Sequence, residues 1–222
     1  MMPATTGGPA PVKPLLRGWL HAVAVPIALV GAVVLWRTAT LVGVPPLPVL
    51  IFGACMVGLY VVSSLYHVPP WSARVRLILS RCDGAMIQLM IAGTFTPVAF
   101  HALNGHWRAW SLAGAWVVAI TGAVIAASPL EAPRWLGTIG YIAVGWLGVV
   151  PFVRIIDALP WQGSSLIALG GVLYTVGALV YAFRWPNPFP RWFGFHEIFH
   201  VFVVAASTAH YLAIWRYVLP TG

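Results

Sequence analysis

Seven stretches of this chain are nearly continuous apolar runs of about twenty residues: 18–36, 47–67, 77–100, 110–127, 135–153, 164–183 and 195–217. That is the length at which an α-helix crosses the hydrocarbon core of a bilayer. Helix breakers fall between the runs: Pro45-Pro46, Pro69-Pro70, Asn104-Gly105, Ser128-Pro129 with Pro133, Pro160, and the Pro186-Asn187-Pro188-Phe189-Pro190 segment. Each connector is about ten residues or fewer, too short for an inserted domain. No run alternates with period two, so a membrane β-barrel is excluded. The pattern predicts a seven-helix bundle over 18–217, with 1–17, rich in Pro, Gly and Thr, as a flexible tail and 218–222 as a second short tail. Trp19, Trp36, Trp71, Trp107, Trp110, Trp135, Trp161 and Trp185 lie near the predicted helix ends, where an aromatic belt meets the lipid headgroups.

Composition strengthens this reading. Charged residues make up 7% of the 222 and hydrophobic residues 60%, and the mean hydropathy is +0.89. A soluble fold cannot cover its surface with so few polar groups, so lipid is the solvent. Soluble enzymes, disulfide scaffolds and disordered chains are thereby excluded. The net charge of +8 forms no continuous basic patch, which argues against nucleic acid as a partner. Cys55 and Cys82 form no Cys-x-x-Cys pair and read as small packing residues.

The cations divide unevenly between the two ends of the predicted bundle. Lys13, Arg17, Arg74, Arg76, Arg81, Arg134, Arg184 and Arg191 fall on one side; Arg37, Arg108, Arg154 and Arg216 fall on the other. By the positive-inside rule the N-terminus is expected in the cytoplasm and the C-terminus outside, in a multi-pass protein of the plasma membrane.

Four ionisable residues inside or at the ends of the spans stand out, because a charge in lipid is costly and commonly functional. His67 ends the second span, Asp83 lies in the third, and His196 and His200 open the seventh. Residues four apart share a helix face, so His196 and His200 can address one metal ion. Asp83 lies about six residues, ~9 Å, into its span, and the two histidines lie roughly 2–8 Å into theirs. All four thus fall in the same third of the membrane. Three neutral imidazoles plus a water are the ligand set of a catalytic zinc site. Asp83 could hydrogen-bond such a water and accept its proton. Ser63, one turn before His67 on the same face, could hold the water or stabilise an oxyanion. Each has a plainer alternative: His67 as an interfacial residue, Asp83 paired with Arg81 or Arg76, Ser63 as a small residue at a helix contact. His101, His106 and His210 fall towards the other side and read as interfacial. The run His196-Glu197-x-x-His200 also matches the zincin protease signature, in which the glutamate is the general base. No acidic residue follows Glu197, and His210 does not fit the metzincin spacing.

On these residues the chain resembles the hemolysin III family, the bacterial branch of the progestin and adipoQ receptors. Ser63-Ser64-Leu65-Tyr66-His67 is similar to the family's Ser-x-x-x-His motif at the end of the second helix. Asp83 with Ile91-Ala92-Gly93-Thr94-Phe95-Thr96-Pro97 resembles its third-helix signature, and His196-Glu197-Ile198-Phe199-His200 its seventh-helix motif. The resemblance implies a seven-helix fold with a cytoplasmic N-terminus, zinc on His67, His196 and His200, and Asp83 and Ser63 around the metal's water. His21 stands at the histidine of the first-helix motif, but Arg17 and Leu20 replace the Asn and Thr expected before it.

The expected function is zinc-dependent intramembrane hydrolysis of a lipid amide or ester, with a membrane lipid as substrate. Ceramide-like substrates are implied by resemblance to adiponectin receptors and alkaline ceramidases. A receptor or membrane-homeostasis sensor with structural zinc is the second expectation. A cytolysin or channel is a third, although no long amphipathic pore-forming segment is visible in the residues.

Overall fold

The computed structural model describes residues 13–129, 140, 142–143, 145–146 and 148–221. Seven helices are described: α1 (Trp19–Val42), α2 (Leu47–His67), α3 (Ala73–Ala102), α4 (Gly105–Ala127), α5 (Val149–Ala158), α6 (Trp161–Phe183) and α7 (Phe195–Ala213), the last continuing through a π turn, Ile214–Val218. All but α5 are long and apolar enough to cross a membrane, α7 counted with its π turn. This is an all-α membrane bundle. Of the expected fifth span, 135–139, 141, 144 and 147 lie outside the described residues; its later part forms the start of α5. Of the stretch assigned to the N-terminal tail, residues 1–12 also lie outside them, while Leu15 and Leu16 donate backbone hydrogen bonds to the carbonyls of Arg191 and Trp192.

Several helices outrun their apolar stretches. α1 continues six residues past Trp36, carried by the Thr38 and Thr40 hydroxyls, which donate to the carbonyls of Val34 and Trp36. It stops where Gly43 takes a left-handed conformation, φ 82°, and returns its N–H to the carbonyls of Ala39 and Thr40. α3 starts at Ala73 behind Ser72, whose side chain accepts from the Val75 N–H. A hydropathy pattern ends where charged residues begin; a helix ends where its backbone hydrogen bonds do.

α1 packs on α2, α2 on α3, α3 on α4 and α6 on α7, while α5 touches α3 and α6 and α1 also meets α7. The lipid-facing surface is apolar, with Val23, Ile27, Val30, Ile120, Val124 and Val172 all exposed. The inward stripes mix apolar and polar residues. On α2 the stripe runs Val49, Phe52, Met56, Leu59, Tyr60, Ser63, His67, the i, i+3, i+4, i+7 spacing of one helix face. On α7 it runs Glu197, His200, Val203, Ala206, Ser207, His210. Small residues let backbones approach: a Cβ on Gly53 would lie 2.8 Å from Ala32 Cβ, and one on Gly93 would lie 2.7 Å from Cys55 Sγ. Because short connectors make neighbours antiparallel, the start of α1, the end of α2 and the starts of α3 and α7 share one end of the bundle.

Candidate metal centre

Three imidazoles converge at that end. His67 comes from the last residue of α2, His196 and His200 from the first two turns of α7, and a ligating nitrogen of each lies within 4.8 Å of the other two. His67 Nε2 and His196 Nε2 are 3.1 Å apart, whereas two nitrogens on a single tetrahedral zinc stand roughly 3.3 Å apart. His67 and His200 are buried. His200 Nδ1 is buried with no hydrogen-bond partner, a costly state for a polar atom. Three imidazoles at this spacing, on two helices, form a possible three-histidine metal site, and the donor set fits a borderline cation such as zinc with one position left over.

Asp83 stands beside this cluster. Its Oδ2 is 3.9 Å from His67 Nε2, and the buried Ser63, one turn before His67 on α2, lies near its side chain. α3 begins four residues before its apolar run, so Asp83 is ten residues, about 15 Å, along the helix. The first turns of α3 extend past the level of the site, and Asp83 still meets the end of α2. All five residues singled out from the sequence are therefore brought together. Two cavities lie away from them. One, about 270 Å³, is lined by Pro45, Ile51, Thr96, Phe100 and Trp116; the other, about 300 Å³, by Asn104, Trp107, Arg154 and Asp157. Both lie at the opposite end of the bundle.

Glu197 has a different place. It is fully buried, with one carboxylate oxygen accepting the Gly194 N–H at 2.7 Å and the other paired with Arg17. Both oxygens are thus engaged away from the histidines, which removes the zincin role of a free general base. Two further neighbours, not among the five expected at the site, join it. His21 of α1 is buried and its ring is stacked on His200, centroids 4.0 Å apart and planes within 10°. Lys13 donates from Nζ to the His67 carbonyl; burial and the nearby Arg76 and Arg17 guanidinium groups hold its pKa below the usual lysine range. His21 was detectable as a histidine inside an apolar run; Lys13 carried no such signal.

His210 was expected at the interface and is instead buried inside the bundle. Its Nδ1 hydrogen-bonds the Ala206 carbonyl at 2.9 Å, and its ring faces Tyr174, whose hydroxyl is 2.8 Å from Ser207 Oγ. The reason is position on the helix: His210 falls on the same stripe as Val203 and Ser207, turned to α6 rather than to lipid.

Residues 10–211 match the family described as haemolysin-III related. Hemolysin-3 of Bacillus cereus is 34% identical over 173 residues, covering 78% of this chain and 75% of its own length. The hemolysin-3 homolog of Bacillus subtilis is 32% identical over 167 residues, 75% of each. The human monocyte to macrophage differentiation factor is 26% identical over 175 residues, 75% of this chain and 68% of its own.

Proposed function

The chain belongs to the haemolysin-III-related family, and from that premise we propose that it is a zinc-dependent hydrolase of a lipid amide or ester within the plasma membrane. The observation that carries the reading is Asp83: a carboxylate 3.9 Å from one imidazole of a three-histidine cluster and outside the cluster itself. A closed structural zinc site takes four protein ligands, while a catalytic site takes three and keeps one position for water or substrate. His67, His196 and His200 would hold the zinc, which when bound acts as a Lewis acid and lowers the pKa of water towards ~7.

The other steps belong to the chain. Asp83 accepts the proton of the attacking water and later returns it to the leaving amine or alkoxide, so acid and base are one group in two states. Ser63 orients the carboxylate from the next turn of α2 and supplies a hydroxyl towards the developing oxyanion. Burial of His67 and His200 lowers the local dielectric on their side of the cluster, which strengthens these interactions. A receptor or sensor with structural zinc is the second reading; the tie that His67 makes between the end of α2 and the start of α7 supports it.

Asp83→Asn separates the two. The amide keeps the volume and can still hydrogen-bond water, so zinc occupancy and folding are retained. It cannot take a proton, so hydrolysis of a screened panel of ceramides and other lipid amides and esters should fall by roughly 10²–10⁴-fold. Full turnover in Asp83→Asn, with zinc present, would remove the proposed base.

A further inference from the structure

The first turn of α1 and the strap before it touch two rings of the histidine cluster and the buried Glu197 beside it, and the proposed chemistry uses none of these contacts. Arg17 pairs with Glu197, Gly18 packs on His67, and His21 stacks on His200. Resting on the metal-site reading above, we propose that residues 17–21 form a brace that positions the ligand-bearing ends of α2 and α7. Within it Arg17 is a positioning residue acting through Glu197, and His21 acts through the ring of His200.

The physical case begins at Glu197. A fully buried carboxylate requires a counter-charge and hydrogen bonds to every oxygen. Arg17 supplies the charge at one oxygen, and the other caps the start of α7 by accepting the Gly194 N–H. The guanidinium therefore fixes the turn that carries His196 and His200. The strap holding Arg17 is fastened to the same loop through the bonds from Leu15 to Arg191, 3.0 Å, and from Leu16 to Trp192, 3.2 Å. It is fastened to α2 through Lys13 and the His67 carbonyl. Gly18, with φ 86°, turns the chain into α1 directly against His67; a Cβ there would lie 2.5 Å from His67 Cβ. Both His21 ring nitrogens are buried without a hydrogen-bond partner. What His21 presents to His200 is a ring face, which fixes the orientation of that imidazole. Groups that orient ligands in this way tune metal affinity by 10–100-fold.

The test is a charge-reversal cycle on the full chain in detergent. Two rates are read in Arg17→Glu, Glu197→Arg and the double reversal: zinc release, and hydrogen exchange of the amides in 194–200 with zinc and after chelation. Thermal unfolding is recorded beside them. Each single reversal should speed both rates by about tenfold or more, and the double should be slower in both than either single, short of the parent because an arginine at 197 cannot accept the Gly194 N–H. Arg17→Lys should stay near the parent. If single reversals do not accumulate, Arg17→Gln, Glu197→Gln and their double carry the same comparison, the neutral pair being milder than either orphaned charge. Unchanged rates in the single variants, or a double no slower than the slower single, overturn the brace. Exchange that is coupled while zinc release is not reduces the pair to a helix cap and overturns its positioning role. A parent that binds no zinc removes the metal reading, while the exchange cycle still decides whether the brace exists.

Discussion

A histidine inside a membrane protein is decided by which face of its helix it occupies. His67, His200 and His210 all sit on inward stripes, yet only two of them join a cluster. His210 spends its Nδ1 on the Ala206 carbonyl one turn back, a local bond that any helix offers. His200 has no such partner for its own Nδ1, so its ring is held by neighbours: His21 on its face and the other two imidazoles at its edge. Because α2 supplies one donor and α7 two, neither helix can hold the metal alone. Replacing both His196 and His200 by Ala should therefore abolish stoichiometric zinc in the purified protein, as read by atomic emission. Full occupancy in that variant would place the metal elsewhere.

At the scale of the element, α6 and α7 make the clearest case for close packing. Gly170 faces the His210 ring so closely that any Cβ would collide with it, while Gly171, one residue on, has open space. Overpacking against a buried ring costs about 1–3 kcal/mol, and a glycine relieved in an open helical position gains up to ~1 kcal/mol. Gly170→Ala should accordingly lower the thermal midpoint and Gly171→Ala leave it level or raise it. Equal midpoints for the two would show that the α6–α7 contact is looser than described. The same logic explains why α7 can carry polar residues at all: Tyr174 meets Ser207, Tyr211 donates to the Gly31 carbonyl, and Trp215 donates to Thr38. Tyr174, Tyr211 and Trp215 thus each bond across to a neighbouring helix, while the Ser207 hydroxyl donates to the Val203 carbonyl of its own.

For the molecule as a whole, the three clustered histidines, Asp83 and the strap gather at the end of the bundle that, among the described residues, also carries Lys13, Arg17, Arg74, Arg76, Arg81, Arg184 and Arg191. By the positive-inside rule that end is expected in the cytoplasm. An odd number of crossings puts the two termini on opposite sides. Reporter fusions at residue 1 and residue 222 should therefore report opposite compartments, with the N-terminal reporter cytoplasmic. The same compartment for both would mean that α5, only ten residues long as described, does not complete a crossing.

The apolar runs, their breakers and the spacing of His196 and His200 are local properties of the chain, and the sequence by itself determined the helical membrane class, seven apolar runs of which six are long spans among the described residues, and the pairing of those two imidazoles. It also placed His67, Asp83, His196 and His200 in one third of the membrane, with Ser63 one turn from His67, since helix rise converts residue number into height. Rotation about each helix axis is another matter. Whether a residue at a given depth points to lipid, to a neighbour or to the cluster depends on how seven cylinders are turned against one another, and a single apolar run carries little of that information. So only the tertiary structure decided that His210 is inward, that Glu197 spends both oxygens on Arg17 and Gly194, and that His21 lies flat on His200. The strap depended on tertiary structure for a further reason. Lys13 to Arg17 contains no periodicity at all, and what holds it is a set of bonds to residues more than fifty positions away.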